Sequence, residues 1–89
     1  MLVFPAELTH DQAPACSRML AQALRSEGEG TVVADVAALE RFDSSALAVL
    51  LDCRREALAR GKSFAVARMP ARLRELASVY GVAGLLPAA

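Results

Sequence analysis

The sequence predicts a small α/β fold, and three observations predict it. Short apolar or β-branched runs stand at residues 2–8, 31–36 and 63–68. Helix-length segments separate them, at 10–27, 44–60 and from Pro70 onward. The resulting order β-α-β-α-β-α argues for strands joined by right-handed crossovers and covered by helices. The chain of 89 residues has 55% hydrophobic side chains, enough for one domain spanning residues 1–89. Aromatics make up only 4% of it, so the core has to be built from Ala, Val and Leu.

Each element carries its own signals. Residues 2–8 (LVFPAEL) read as a strand, and Pro5 confines it to a sheet edge or a bulge because proline cannot donate to a ladder. Thr9 and Gln12 have capping-box spacing at the start of the first helix. Asp11 is a competing cap, which would put Pro14 in the first turn. Cys16, Leu20, Ala23 and Leu24 then share one helical face, and Gly28 and Gly30 end the helix. Glu27 and Glu29 flank that turn and read as solvated. Residues 31–36 (TVVADV) are apolar on both faces, which fits a central strand. Asp43, Ser44 or Ser45 caps the second helix, with Ala46, Val49, Leu50, Cys53 and Ala57 as its core stripe and Gly61 as its stop. Residues 63–68 form the third strand, and Pro70 opens the third helix. Leu73, Leu76, Ala77 and Tyr80 make the apolar stripe of that helix, Gly81 ends it, and residues 82–86 form a docking tail.

Charge and composition exclude several functions. Ten basic and ten acidic residues give a net charge of +0, without the basic footprint a nucleic-acid binder needs. Residues 1–45 carry seven acids and three bases, and residues 46–89 carry three acids and seven bases. These halves read either as solvated faces of separate helices or as a polarised surface that orients a protein partner. Two cysteines, Cys16 and Cys53, are too few for a disulfide scaffold, although one disulfide stays open. Both lie on apolar helical faces and read as inert core thiols in a reducing compartment. No 18-residue apolar run and no secretory leader is present, which predicts a soluble, cytoplasmic protein with no direct membrane insertion.

Enzyme constellations are missing. His10 is the one histidine, without a cysteine or second histidine at metal-ligand spacing, and reads as a surface or capping residue. The glycines build no phosphate loop, and no nucleophile elbow is present. No catalytic residue, cofactor or metal is therefore expected. The informative stretch is Phe42-Asp-Ser-Ser-Ala-Leu-Ala-Val-Leu-Leu51. An Asp and two hydroxyls stand at a helix start, which capping explains. Residues 46–51, however, are apolar on every side, where a surface helix needs one stripe. Leu47 and Leu51 lie off the core stripe. They are either covered by the third helix or the tail, or form an exposed patch beside the hydroxyls, as a partner site would.

The segment Val36-Ala-Ala-Leu-Glu-Arg-Phe-Asp-Ser-Ser-Ala-Leu-Ala-Val-Leu-Leu51 resembles the signature of STAS domains, the sulfate-transporter and anti-sigma-factor-antagonist modules. Glu7-Leu-Thr before the first helix, Gly61-Lys before a strand and Pro70-Ala-Arg-Leu-Arg-Glu-Leu-Ala extend the resemblance over nearly the whole chain. Ala46 departs from it, standing where the family usually has glycine. The resemblance implies a STAS-type small mixed sheet with helices packed mainly on one face. Within the family, the Glu-Leu-Thr-His opening and the Phe-Asp-Ser-Ser-Ala-Leu core are most similar to the STAS subunit of Mla-type phospholipid transporters. That similarity implies a non-catalytic regulatory subunit on the cytoplasmic ATPase of an ABC transporter that maintains outer-membrane lipid asymmetry. Its place would be the cytoplasmic face of the inner membrane, reached through its partner. The partner-binding residues so implied are Asp43, Ser44, Ser45, Leu47 and Leu51. The alternative implied by the family is an anti-sigma-factor antagonist, with an anti-sigma kinase as partner and Ser44 as the residue it phosphorylates.

Overall fold

The computed structural model describes residues 1–28 and 30–89. Its first strand pair flanks Pro5: β1 is Leu2–Val3 and β2 is Glu7–Leu8. Then follow α1 (Ala13–Leu24), β3 (Thr31–Asp35), β4 (Arg41–Phe42), α2 (Ser45–Ala59), β5 (Ser63–Ala67) and α3 (Ala71–Val79). A short 3₁₀ turn, Ala83–Leu85, leads into the tail.

The main sheet has the order β1-β3-β5, so residues 31–35 form its central strand. The strand expected over residues 2–8 lies at the edge and is interrupted at Pro5. Beyond the break, β2 pairs with β4 in a second, two-stranded sheet. At two residues, β4 is too short to leave a periodic signal in the sequence. A mixed sheet was expected, whereas the described pairs are all parallel. The cause lies in the connections: a helix intervenes between successive main-sheet strands, and a helix crossover returns the chain in the same direction. The tail adds one further parallel bridge, Ala88 to Val66.

The registers align Leu2 with Ala34 and Ala34 with Val66, and Val32 with Phe64. These side chains share one face of the sheet and all are buried. The opposite face carries Val3, 64% exposed, and half-buried Val33. The central strand is thus fully covered on one face only, where the sequence suggested two. The buried face meets α1 and α2, which pack on each other with α1 over β1 and α2 over β5. Buried Leu20 and Leu24 of α1 and Leu50 of α2 join this one core. Each such leucine contributes about 1.5–3 kcal/mol.

Helix ends follow local chemistry. α1 is shorter than 10–27 because residues 25–27 form turns and because its first turn waits for Pro14. Half of the expected capping box forms: Gln12 Oε1 accepts from the Thr9 N–H at 2.8 Å and from the Thr9 hydroxyl at 2.6 Å. Ala23 is exposed, one step off the buried stripe of Cys16, Leu20 and Leu24. Glu27 is half-buried rather than solvated, with its carboxylate on the Met1 amino group and its carbonyl accepting from Lys62 Nζ at 2.7 Å. Glu29 lies outside the described residues.

Pro70 sits one position before α3, as its cap residue, and Arg74 N–H bonds its carbonyl at 3.0 Å. At the other end Gly81 adopts φ +73°, which a side-chain-bearing residue resists. The Val82 N–H then reaches the Ala77 carbonyl at 2.9 Å and the Gly81 N–H reaches Ser78 at 3.0 Å. This is a Schellman closure, and it turns Val82 back toward the core.

Candidate functional site

The start of α2 is organised by Asp43. One carboxylate oxygen accepts from the Ser45 N–H at 2.8 Å, and the other accepts from the His10 N–H at 3.1 Å. The Ser45 backbone and hydroxyl bonds, helped by the bond from His10, hold the Asp43 carboxyl below its usual range. Of the three capping candidates, Asp43 therefore does the capping. Ser44 is exposed, and its hydroxyl caps nothing. His10 is exposed and contributes through its backbone.

The apolar ring at 46–51 divides into two parts. Ala46, Val49 and Leu50 enter the core as expected. Leu47 is also buried, at 3% exposure, while Leu51 is half-buried. Of the two alternatives, cover holds for Leu47, and Leu51 stays partly exposed. Tyr80 and Val82 stand across from Leu47, Ala48 and Leu51, and Ser44 completes an open cleft of about 250 Å³. Tyr80 was expected in the core stripe of α3 but is 59% exposed, and it forms a wall of this cleft. Its exposure follows from its place at the last turn, where Gly81 redirects the backbone. The sequence offered no signal for the wall beyond the glycine itself.

Arg72 ties this end of the molecule together. Its guanidinium lies 4.4 Å above the centroid of Phe42, two residues before Ser44. Such a contact contributes about 0.5–1 kcal/mol at an exposed position. On the other flank of α2, Asp52 accepts from Ser17 Oγ of α1 at 3.2 Å and from Arg55 at 2.8 Å. Asp43, Ser44 and Ser45 therefore follow a β4 residue held by Arg72 and lead into a helix tied to α1.

A second polar group escaped the sequence reading. Asp35, at the end of β3, is 7% exposed and is held by the fork of Arg68, whose Nε donates to Oδ1 at 3.2 Å and whose Nη2 donates to Oδ2. The Ala37 N–H adds a bond at 3.0 Å. The Arg68 bond first, then that of Ala37, keeps the Asp35 carboxyl below its ordinary range. Arg68 itself has φ +57°, a left-handed conformation for a residue with a Cβ.

Cys16 and Cys53 are buried free thiols. Burial raises the pKa of both, and pushes Cys53 up to about 12. Among the described residues, no group of three or more His, Cys, Asp or Glu is gathered as a metal site. No helix among them is long and apolar enough to cross a membrane.

A parallel sheet buried on one face, helices packed there, and an apolar cleft beside a helix start define a small α/β binding module. The chain belongs to the STAS-domain family: the family model described as "Mlab, STAS domain" matches residues 3–87. Among solved structures it is similar to an anti-sigma-factor antagonist (STAS) domain protein from Planctomyces limnophilus. The two share 19% identity with a TM-score of 0.79, over 97% of this chain and 77% of that one. No curated protein matches the sequence. Domains of this family are regulatory and binding modules that work through protein–protein contacts.

Proposed function

We propose that this domain is a non-catalytic regulatory subunit that docks on the cytoplasmic ATPase of an Mla-type phospholipid transporter, with its face at the start of α2. The observation that carries the reading is the exposed Ser44 hydroxyl, free of capping duty, on the rim of the cleft between Leu51 and Tyr80. An apolar side chain of the partner fits the cleft, and a polar group beside it bonds Ser44 or Ser45. The description of the matching family model, "Mlab, STAS domain", supports this reading. Through its partner the domain sits at the cytoplasmic face of the inner membrane and supports outer-membrane lipid asymmetry.

A second reading is an anti-sigma-factor antagonist, favoured by the free hydroxyl next to Asp43 and by the description of the similar solved structure. A partner kinase would move the γ-phosphoryl group of ATP to Ser44 Oγ, releasing ADP and the hydroxyl proton. The product carries about −1.5 to −2 added charge. The α2 N-terminus tolerates that charge, while an apolar contact next to it does not.

Co-purification with the transporter ATPase tests the first reading. Ser44→Glu is expected to abolish the complex while keeping the melting temperature, and Leu51→Asp to abolish it in a domain that still folds but melts lower, because Leu51 packs partly on the core. Leu47→Asp is unsuited to this test, because Leu47 is buried and its replacement unfolds the domain. Retained binding by both variants overturns the docking face. Absent ATPase binding together with Ser44 phosphorylation by a sigma-factor-associated kinase favours the second reading.

A further inference from the structure

The two acidic side chains of α2 are already matched. Asp52 pairs with Arg55 at 2.8 Å, and Glu56 pairs with Arg60 at 4.0 Å. Arg54 differs: among the described residues no carboxylate lies within ion-pair reach of it. Ala89, with the terminal carboxylate, lines a separate cleft beside Val66, and that cleft shares no residue with the one at the start of α2. Arg54 is half-buried, so its stem is held while its charge keeps no partner. Helical spacing sets it beside the docking cleft. It stands one turn beyond Leu51 and two turns beyond Leu47, on the same side of α2. Leu58, 47% exposed, follows one turn later on that side. Asp52 is turned away from it, toward Ser17 of α1.

From Ser44 to Leu58 this side of α2 therefore presents a hydroxyl, an apolar cleft, one unmatched cation and a further apolar side chain. Its complement is an apolar anchor with a carboxylate about one helical turn further along. A helix laid along α2 supplies that spacing, because its own side chains recur every three or four positions. We propose that the segment of the ATPase that docks here is an acidic amphipathic helix, with an apolar side chain between Leu51 and Tyr80 and a Glu or Asp one turn away, on Arg54. This rests on the reading of the α2 face and adds to it the chemistry of the partner and its direction along α2. The anchor lies toward Ser44 and the carboxylate toward Leu58. A charge at such a rim acts mainly on the rate and orientation of association.

Association kinetics with the transporter ATPase, at low and high salt, test this on the parent and on Arg54→Glu, Arg54→Gln and Arg54→Lys. Arg54→Glu is expected to weaken the complex about tenfold or more and Arg54→Gln about threefold, mainly through slower association. Both losses are expected to shrink at high salt. Arg54→Lys keeps the charge and should stay within about twofold of the parent. Arg25→Glu makes the same reversal at the exposed end of α1 and should also stay within about twofold. Should Arg54→Glu fail to fold, Arg54→Gln against Arg54→Lys still decides, because only one of them keeps the charge. Parent-like association of Arg54→Glu, or an equal loss in Arg25→Glu, would overturn the assignment, and the docking face would stand as long as Ser44→Glu still breaks the complex. A parent that does not bind the ATPase overturns both. A parent that dimerises, with Arg54→Glu monomeric, gives the stripe to a second copy of this chain and overturns the proposal as well.

Discussion

The backbone N–H of His10 donates to the Asp43 carboxylate at 3.1 Å, across 33 positions of chain. The other oxygen of the same carboxylate caps α2 through Ser45. One side chain therefore sets both the start of α2 and the approach of the segment that leads into α1. The proposed docking face takes its geometry from this joint, and the Ser44 hydroxyl is left free of capping work.

Asp43→Ala should consequently lower the melting temperature, while Ser44→Ala should stay within about 0.5 kcal/mol of the parent. The pH dependence has a definite sign. The folded Asp43 carboxyl titrates below its ordinary range, so its contribution is complete above that range and fades as pH falls through the lowered value. Asp43→Asn should flatten part of the acid limb of a plot of melting temperature against pH. Equal losses for Asp43→Ala and Ser44→Ala would show that Ser44 shares the cap.

Arg68 combines an ion pair with an unfavourable backbone. Arg68→Gly and Arg68→Ala both lose the pair with Asp35, but glycine also relieves the left-handed φ. Arg68→Gly should be more stable than Arg68→Ala by about 1–2 kcal/mol in urea unfolding. A reversed order would mean that φ is not left-handed in solution. The folded Asp35 carboxyl is also lowered, so its contribution is lost as pH falls, and less of it remains to lose in either variant.

Gly81 and Gly84 form a matched pair of sites. A Cβ at either meets nothing within 4 Å, yet only Gly81 of the two has positive φ. Gly81→Ala should cost about 1–2 kcal/mol through the backbone alone. Gly84→Ala should be near neutral, within about 0.5 kcal/mol. Thermal unfolding of both variants checks this, and equal effects would show that the left-handed turn is not retained.

The thiols should be silent in the native state. With Cys53 titrating near 12 and Cys16 also raised, neither supplies thiolate at neutral pH. An aromatic disulfide reagent at pH 8 should react only as fast as the protein unfolds, and both thiols should react at once in denaturant. Fast reaction of the folded protein would reveal an opening motion between α1 and α2.

Much of this architecture was legible in the chain because its signals are local. Pro5 marked the edge strand, the β-branched run at 31–36 marked the centre, and Gly61 and Gly81 marked helix ends. The candidate site was legible only in part. Asp43 and Ser44 announce a helix start, but which of them caps depends on His10, a residue supplied by another element. The cleft beside Leu51 depends likewise on Val82 and Tyr80, whose position no pattern in α2 encodes. The Asp35–Arg68 pair joins two strand ends 33 positions apart and left no periodic trace.

The parallel pairing has a kinetic consequence. Thr31 lies against Ser63, 32 positions later, and no described strand pair is a hairpin. Each rung of the main sheet must wait for a long loop to close, at an entropic cost that local turns cannot reduce. The chain should therefore fold more slowly than a helical bundle of equal length, with β3, α2 and β5 assembling as the nucleus because they hold the longest shared ladder. Substitutions at Val32 or Val66 would then slow folding, whereas changes in the tail beyond Leu86 would act mainly by speeding unfolding.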